Sequence, residues 1–339
     1  MTNPSQSVVA APARPSIGSL LRSLLRSQAA MTTATLLVLM AFFTVLFPTK
    51  FLTVFNLQNL LIDYSGIVLL GVGLTFVMTS ECFDLSIGAT LVLASVLAVK
   101  AMVLAGGEGW LTVVIGLLAA LLTGVAVGLF NGFLVVKLRI PSIIVTLGSL
   151  NVAQGTAYIL TGGQDMHEVP QLMVDSIGLG RIAGMPVPAL VSAIAVVIGA
   201  FFLAQTRFGR HTCALGSNKE AARRAGINVN RLSINLYILS GVCAGLAGFM
   251  SLARFGTTTL SGHSTDFITA LLGVVLGGTS LFGGVGTVLG TAVGVFIPGV
   301  LANGLILMGV FPYWQLVIVG LVLCAVVYAD LVKRRQRDD

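Results

Sequence analysis

Apolar runs of about the length needed to cross a bilayer recur along the whole chain, and they constrain its fold more than any single motif does. They fall at residues 29–47, 59–79, 86–105, 110–136, 141–161, 187–205, 232–253, 267–279, 284–309 and 312–331. A helix of roughly 20 residues spans a hydrocarbon core about 30 Å thick, and inside lipid a helix satisfies its own backbone hydrogen bonds. The chain is therefore expected to be all-α and polytopic, with about ten transmembrane helices. Composition agrees, since 56% of the 339 residues are hydrophobic and 9% are charged, whereas a soluble domain carries about 25% charge. A water-soluble enzyme is excluded on that ground. The eighth run is short, and Gly277, Gly278, Gly283 and Gly284 break it from the ninth, so a half-helix is the alternative there.

The few charges carry the orientation. Lys and Arg are retained in cytoplasmic loops. With ten crossings and both termini cytoplasmic, every one of the 19 basic residues except Lys50, Lys100, Arg181 and Arg254 falls on the inner side. Nine crossings would place the Lys333, Arg334, Arg335 and Arg337 cluster outside, so ten are preferred. The net charge of +7 then records topology. No stretch interleaves basic with aromatic residues, and no nucleic-acid partner is expected.

The chain divides into an N-terminal tail over 1–28, a membrane domain over 29–331 and a basic cytoplasmic tail over 332–339. The run opening at Ala29 is too long for a signal-peptide core and reads as a retained first helix. Of the two long loops, 162–186 lies outside and carries Asp165, His167, Glu168 and Asp175, a mildly acidic face for an extracytoplasmic partner. The inner loop 206–231 holds six basic residues and a short soluble helix, with Asn218 as its cap and Gly226 at its end. That helix reads either as a handle for another protein or as a solvated basic loop.

Glycines recur every fourth residue at Gly124, Gly128 and Gly132 and again at Gly286, Gly290 and Gly294. Small residues at this spacing line one helix face and let helices approach closely in lipid. The two series sit in spans four and nine, which cross in opposite directions. Asp84 and Asp266 precede spans three and eight, which hints at a five-plus-five inverted repeat.

Catalytic and nucleotide-binding patterns are missing. The sequence has no GxxxxGK[ST], GxSxG or HExxH, and His167, His211 and His263 stand isolated in or beside loops. Cys82, Cys213, Cys243 and Cys324 are far apart, so four free thiols and no metal site are expected. Ionisable side chains are scarce in the spans, which argues against coupling to an ion gradient and for a partner that supplies energy. Asp84, in the segment Asp84-Leu85-Ser86-Ile87-Gly88, reads as a helix cap or as a substrate contact. Asn131, Asn151, Gln154 and Asn303 can line a path for a neutral polyhydroxylated solute, because amides both donate and accept without fixing a charge. They can equally bond helix to helix.

Over residues 50–330 the chain resembles the permease subunits of ribose-type ABC sugar importers. The resemblance runs through Phe51-Leu52-Thr53 with Asn56 and Asn59, the Asp84-to-Gly88 segment, Asn131-Gly132-Phe133-Leu134-Val135 and Arg139-Ile140-Pro141 with Val145-Thr146-Leu147-Gly148. It continues through Leu160-Thr161-Gly162-Gly163, Thr206-Arg207-Phe208-Gly209-Arg210, Ser240-Gly241 with Ala244 to Gly248, and Leu276 to Gly284. It implies an inner-membrane subunit that pairs with a second permease, as a homodimer or heterodimer, surrounded by membrane lipid. It further implies a periplasmic substrate-binding protein and a cytoplasmic ABC ATPase that binds ATP and Mg, with no cofactor in this chain. Glu220, Ala221, Ala222 and Gly226 resemble the ATPase-coupling motif of such permeases, with Arg223 and Arg224 fixing register through charge. The resemblance implies import of a sugar or sugar-like solute of the ribose-type monosaccharide class by alternating access, with a nucleoside, a polyol or a furanosyl signal molecule as the alternative for the same machinery. A stand-alone secondary transporter is disfavoured. Where the family usually has a Gly-Gly pair before its Ile-Asp-Leu-Ser, this chain has Glu81-Cys82-Phe83.

Overall fold

The computed structural model describes residues 28–338; the expected N-terminal tail, apart from Gln28, lies outside them. The chain is all-α and polytopic. Its elements are α1 (Gln28–Leu46), α2 (Val54–Thr79), α3 (Ile87–Ala105), α4 (Trp110–Lys137), α5 (Ser142–Thr161) and α6 (Val187–Gln205), followed by α7 (Arg207–Ser217) and α8 (Lys219–Arg224). The last four are α9 (Val229–Phe255), α10 (Asp266–Leu276), α11 (Val288–Leu307) and α12 (Pro312–Asp338). Between α5 and α6 lie a short helical turn and a two-stranded hairpin, Arg181–Ile182 with Met185–Pro186.

Among the described residues, seven helices are long and apolar enough to cross a membrane: α2, α3, α4, α5, α6, α9 and α11. Shorter apolar stretches are Ala30–Leu46, Asp266–Leu276 and Tyr313–Val322. α10, at 11 residues, is about 16 Å long, roughly half a hydrocarbon core. By itself α10 has the length of a half-helix, and the glycine-rich turn after it carries the chain on to Thr79, whose carbonyl accepts the Gly284 amide.

Local sequence sets the helix ends. Thr53, Asn228 and Thr287 cap α2, α9 and α11 by accepting the amides of Asn56, Arg231 and Gly290, which satisfies donors the helix itself cannot. α3, α5 and α9 each stop at a left-handed glycine. α12 runs on to Asp338, so the backbone of the basic C-terminal segment continues the helix.

Burial separates centre from periphery. About 72% of the spanning window is buried in α2, α3 and α9, against 33% in α4 and α6 and 28% in α5. Gly124 and Gly128 seat α4 on α9 so closely that a Cβ at either would overlap the backbone of Gly241 or Tyr237; Gly132 meets Ile234. In the second series Gly290 and Gly294 lie against Gly277 and Gly273, in and beside α10. Gly286 is not on the helix: it lies in the turn before α11, against the Thr79 hydroxyl. The two series thus meet different neighbours.

The connections collect at two ends. At one, the Gly284 amide donates to the Thr79 carbonyl at 2.9 Å and the Phe83 amide to the Ser142 hydroxyl at 3.3 Å; α7 and α8 lie here, so we call it the basic end. At the opposite end Gln58 Nε2 donates to the Gly184 carbonyl, and the Thr258 amide to the Met166 carbonyl. Cys82, Cys213, Cys243 and Cys324 are all free thiols.

Candidate functional site

The loop over 206–231 contains two helices where the sequence suggests one. α7 is amphipathic, with Gly209, Thr212, Leu215 and Gly216 buried and Arg207, Arg210 and His211 exposed. Its signal is Thr206, whose hydroxyl accepts the Gly209 amide; the interleaved arginines hide the apolar face. Phe208 packs on Phe76 of α2 with ring centroids 6.0 Å apart. At its end Gly216 meets the Thr79 carbonyl and the Gly284 amide, with no room for a Cβ. α7, the end of α2 and the turn before α11 are therefore keyed together at one point.

α8 follows directly. Asn218 Oδ1 accepts the Ala221 amide at 2.9 Å, and Arg223 pairs with Glu220 at 3.4 Å in the open. Gly226, at φ +84, closes the helix: its amide donates to the Arg223 carbonyl and that of Ile227 to the Ala222 carbonyl. This is a Schellman end, and it turns Ile227 and Ala222 toward the interior. Ala222 is 4% exposed and belongs to the hydrophobic core, so it is an anchor and does not face a partner. Asn218, Glu220, Ala221, Arg223, Arg224 and Gly226 are exposed.

Of the residues expected along a solute path, two come together and Asn151, Gln154 and Asn303 lie apart from them. Asp84 and Asn131 share a buried network. Asp84 Oδ1 accepts the Ser86 amide at 3.1 Å and the Ser86 hydroxyl at 2.6 Å, while Oδ2 accepts the Ser240 hydroxyl at 2.8 Å. Asn131 Nδ2 donates to Ser86 Oγ at 2.9 Å, and its Oδ1 has no partner. Asp84 thus ties the α2–α3 connection to α4 and α9. Its hold on the helix start is limited to the Ser86 amide, and Ser86 itself makes no side-chain cap. Burial pushes the Asp84 carboxyl above its ordinary pKa, against the pull of Ser86 and Ser240.

Asn303 is a helix-to-helix contact: it exchanges two 3.0 Å hydrogen bonds with Asn56. Gln154 Nε2 donates to the Leu260 carbonyl at 2.8 Å, and Asn151, exposed on α5, bonds its own helix at Leu147. Asp165 is held by the Thr258 hydroxyl and the Leu260 amide, so one acid of the loop over 162–186 serves the fold.

A cavity of mixed lining that sequence reading misses lies at the opposite end, between α2, α9 and α10. Asp63 pairs with Arg254, whose guanidinium sits 4.7 Å from the Phe255 ring centre. His263 is not isolated: its Nδ1 lies 2.7 Å from Asp266 Oδ2 and its Nε2 2.7 Å from Ser251 Oγ. These groups line about 320 Å³ of space. Their separation in sequence left no local signal.

The model of a family described as branched-chain amino acid transport system / permease component matches residues 56–327. The chain belongs to that permease family. Among similar proteins, the ribose import permease protein of Escherichia coli (strain K12) is 36% identical over 305 residues, covering 88% of this chain and 92% of that protein. The D-allose transport system permease protein of the same strain is 36% identical over 298 residues, covering 87% of this chain and 89% of that one. The L-arabinose ABC transporter permease protein of Azospirillum brasilense is 34% identical over 339 residues, covering 99% and 96%. No solved structure matches the permease. The permease is a multi-pass membrane protein of the transport type, and the family resemblance read from its motifs holds.

Proposed function

We propose that the permease is the transmembrane subunit of an ATP-driven importer that carries a monosaccharide across a bacterial inner membrane by alternating access. Its likeness over most of its length to permeases named for ribose, allose and arabinose carries this reading. The family description names branched-chain amino acids, but the similar proteins named above are named for sugars, and their agreement decides for a sugar.

Ten crossings with both ends cytoplasmic make the basic end the inner one. Support comes from the grouping at that end of Arg207, Arg210, Lys219, Arg223 and Arg224 on α7 and α8. The five-plus-five relation rests on the opposite direction of spans four and nine. In this topology the exposed face of α8, from Asn218 to Gly226, docks on a cytoplasmic ABC ATPase that binds ATP and Mg. Ala222 holds α8 to the core, and the Gly216–Thr79–Gly284 contact passes its movement to α2 and α11. A second permease subunit, identical or different, completes the path, and a periplasmic binding protein delivers the sugar. The repeated glycines on α4 and α11 keep the helix pairs rigid during this motion.

The test is uptake by proteoliposomes holding the permease complex purified with its ATPase and binding protein, given labelled D-ribose, D-allose or L-arabinose. ATP-dependent accumulation of one of them is expected, together with loss of ATPase co-purification in Glu220→Trp. Accumulation without ATP, or of none of the three, refutes the proposal.

A further inference from the structure

We propose that the cavity between α2, α9 and α10 is a docking site for one monosaccharide ring at the outer mouth of the subunit. The inference rests on the sugar-import reading and adds the residues that would receive the solute.

Three observations carry it. The first is size. Packed protein interiors leave few voids larger than a water molecule, yet about 320 Å³ stands open here, roughly ten times the volume share of one water. This is the lower end of the ~300–1,000 Å³ range of small-molecule sites, room for a single sugar ring.

The second is the lining. Asp63 on α2, Arg254 and Ser251 on α9, and His263 with Asp266 at the start of α10 place carboxylate, guanidinium, hydroxyl and imidazole around one space. Ile67 and Leu91 give it an apolar floor. Sugar hydroxyls both donate and accept, so they bond to either member of such pairs while C–H faces lie on the floor. Asp63 and Arg254 are in contact with each other, so neither charge is free for an ionic solute. That favours a neutral ring over an amino-acid zwitterion. The side chains of Asp63 and Arg254 remain 44% and 28% exposed, so the cavity opens outward.

The third is continuity. A second cavity of about 300 Å³ shares Ile67 and Asp266 with the first and is bounded by α11 and α12. Gln315 lines it, and its buried Nε2 has no acceptor. A buried donor left unpaired costs about 1–3 kcal/mol, and a hydroxyl of a passing solute would supply the missing partner. Asp266 and Ile67 thus stand between two chambers.

Gly66 offers a clean test. It lines the first cavity, sits on α2 beside Asp63 and Ile67, and a Cβ there meets nothing within 4 Å. Gly66→Leu fills space without moving backbone, and it removes a helix-interior glycine. In proteoliposomes bearing the complete importer, Gly66→Leu is expected to cut ATP-dependent uptake of labelled D-ribose, D-allose or L-arabinose at least about tenfold. Its melting temperature should stay within about 2 °C of wild type and its binding-protein-stimulated ATPase rate within about twofold, which a merely structural defect would not allow. Asp63→Asn, which keeps the shape, should lower uptake by about tenfold, the worth of one charge-assisted hydrogen bond. Sugar uptake within twofold of wild type in folded Gly66→Leu, or in Asp63→Asn, overturns the cavity while leaving the import function intact. Wild-type vesicles that accumulate L-leucine and none of the three sugars overturn both.

Discussion

Replacing Asp84 separates the value of its hydrogen bonds from the value of its charge. The residue is 2% exposed and accepts three hydrogen bonds, from the Ser86 amide, the Ser86 hydroxyl and the Ser240 hydroxyl. Asp84→Ala leaves three buried donors without acceptors, at about 1–3 kcal/mol each before relaxation. One can be recovered: Asn131 Oδ1 has no partner, and a turn of that amide lets it take the Ser86 hydroxyl. The expected net loss is about 3 kcal/mol. Asp84→Asn keeps an acceptor for Ser86 and offers an amide to Ser240, so it should fall within about 1 kcal/mol of wild type.

The pH dependence follows from the raised Asp84 pKa. A carboxyl whose folded pKa lies above its unfolded value stabilises the fold at low pH and loses that contribution as pH rises through the folded value. Wild type should therefore lose stability relative to Asp84→Asn from about pH 4 upward. The assay is thermal unfolding of purified permease in detergent, where 1 kcal/mol shifts the midpoint by about 2 °C in a chain of this size. Asp84→Ala should melt about 6 °C below wild type at neutral pH. If alanine and asparagine melt together, or the gap between Asp84→Asn and wild type is flat with pH, the reasoning is refuted.

Two further outcomes bear on packing and backbone. Gly128→Leu forces α4 off α9 at the Tyr237 backbone and should cost more than about 3 kcal/mol, abolishing the monodisperse peak in size-exclusion chromatography; Gly148→Ala on α5, where a Cβ meets nothing within 4 Å, should leave that peak unchanged. Glu81 holds φ +63, a conformation that costs a non-glycine residue about 1–2 kcal/mol, so Glu81→Gly should raise the melting temperature by about 2 °C.

The position of Glu81 shows what a sequence can and cannot announce. Its departure from a glycine pair was visible in the chain, but the left-handed backbone that gives the departure a cost was not. α8 was legible because Asn218 and Gly226 mark its ends, and both act within four residues of their own position. α7 was obscured because its buried face alternates with Arg207, Arg210 and His211. Ala222 looked available to a partner until the Schellman end turned it inward. The amides expected along a path lie apart for a different reason: Asn303 and Gln154 bond to distant segments, and no local pattern names such partners.

From sequence alone came the apolar spans, their expected number and direction, the cap and end of α8, and the family. Each depends on interactions that are local or composition-wide, because in lipid a helix closes its own hydrogen bonds and basic residues sort loops one by one. Only the tertiary structure decided which polar groups meet. Asp84 reaches Ser240 across 156 positions, Arg254 reaches Asp63 across 191, and Asn56 reaches Asn303 across 247. Those pairings depend on which helix faces fit together. That fit is a matter of close packing at glycines such as Gly124 and Gly128, summed over whole faces, and no single position along the chain encodes it.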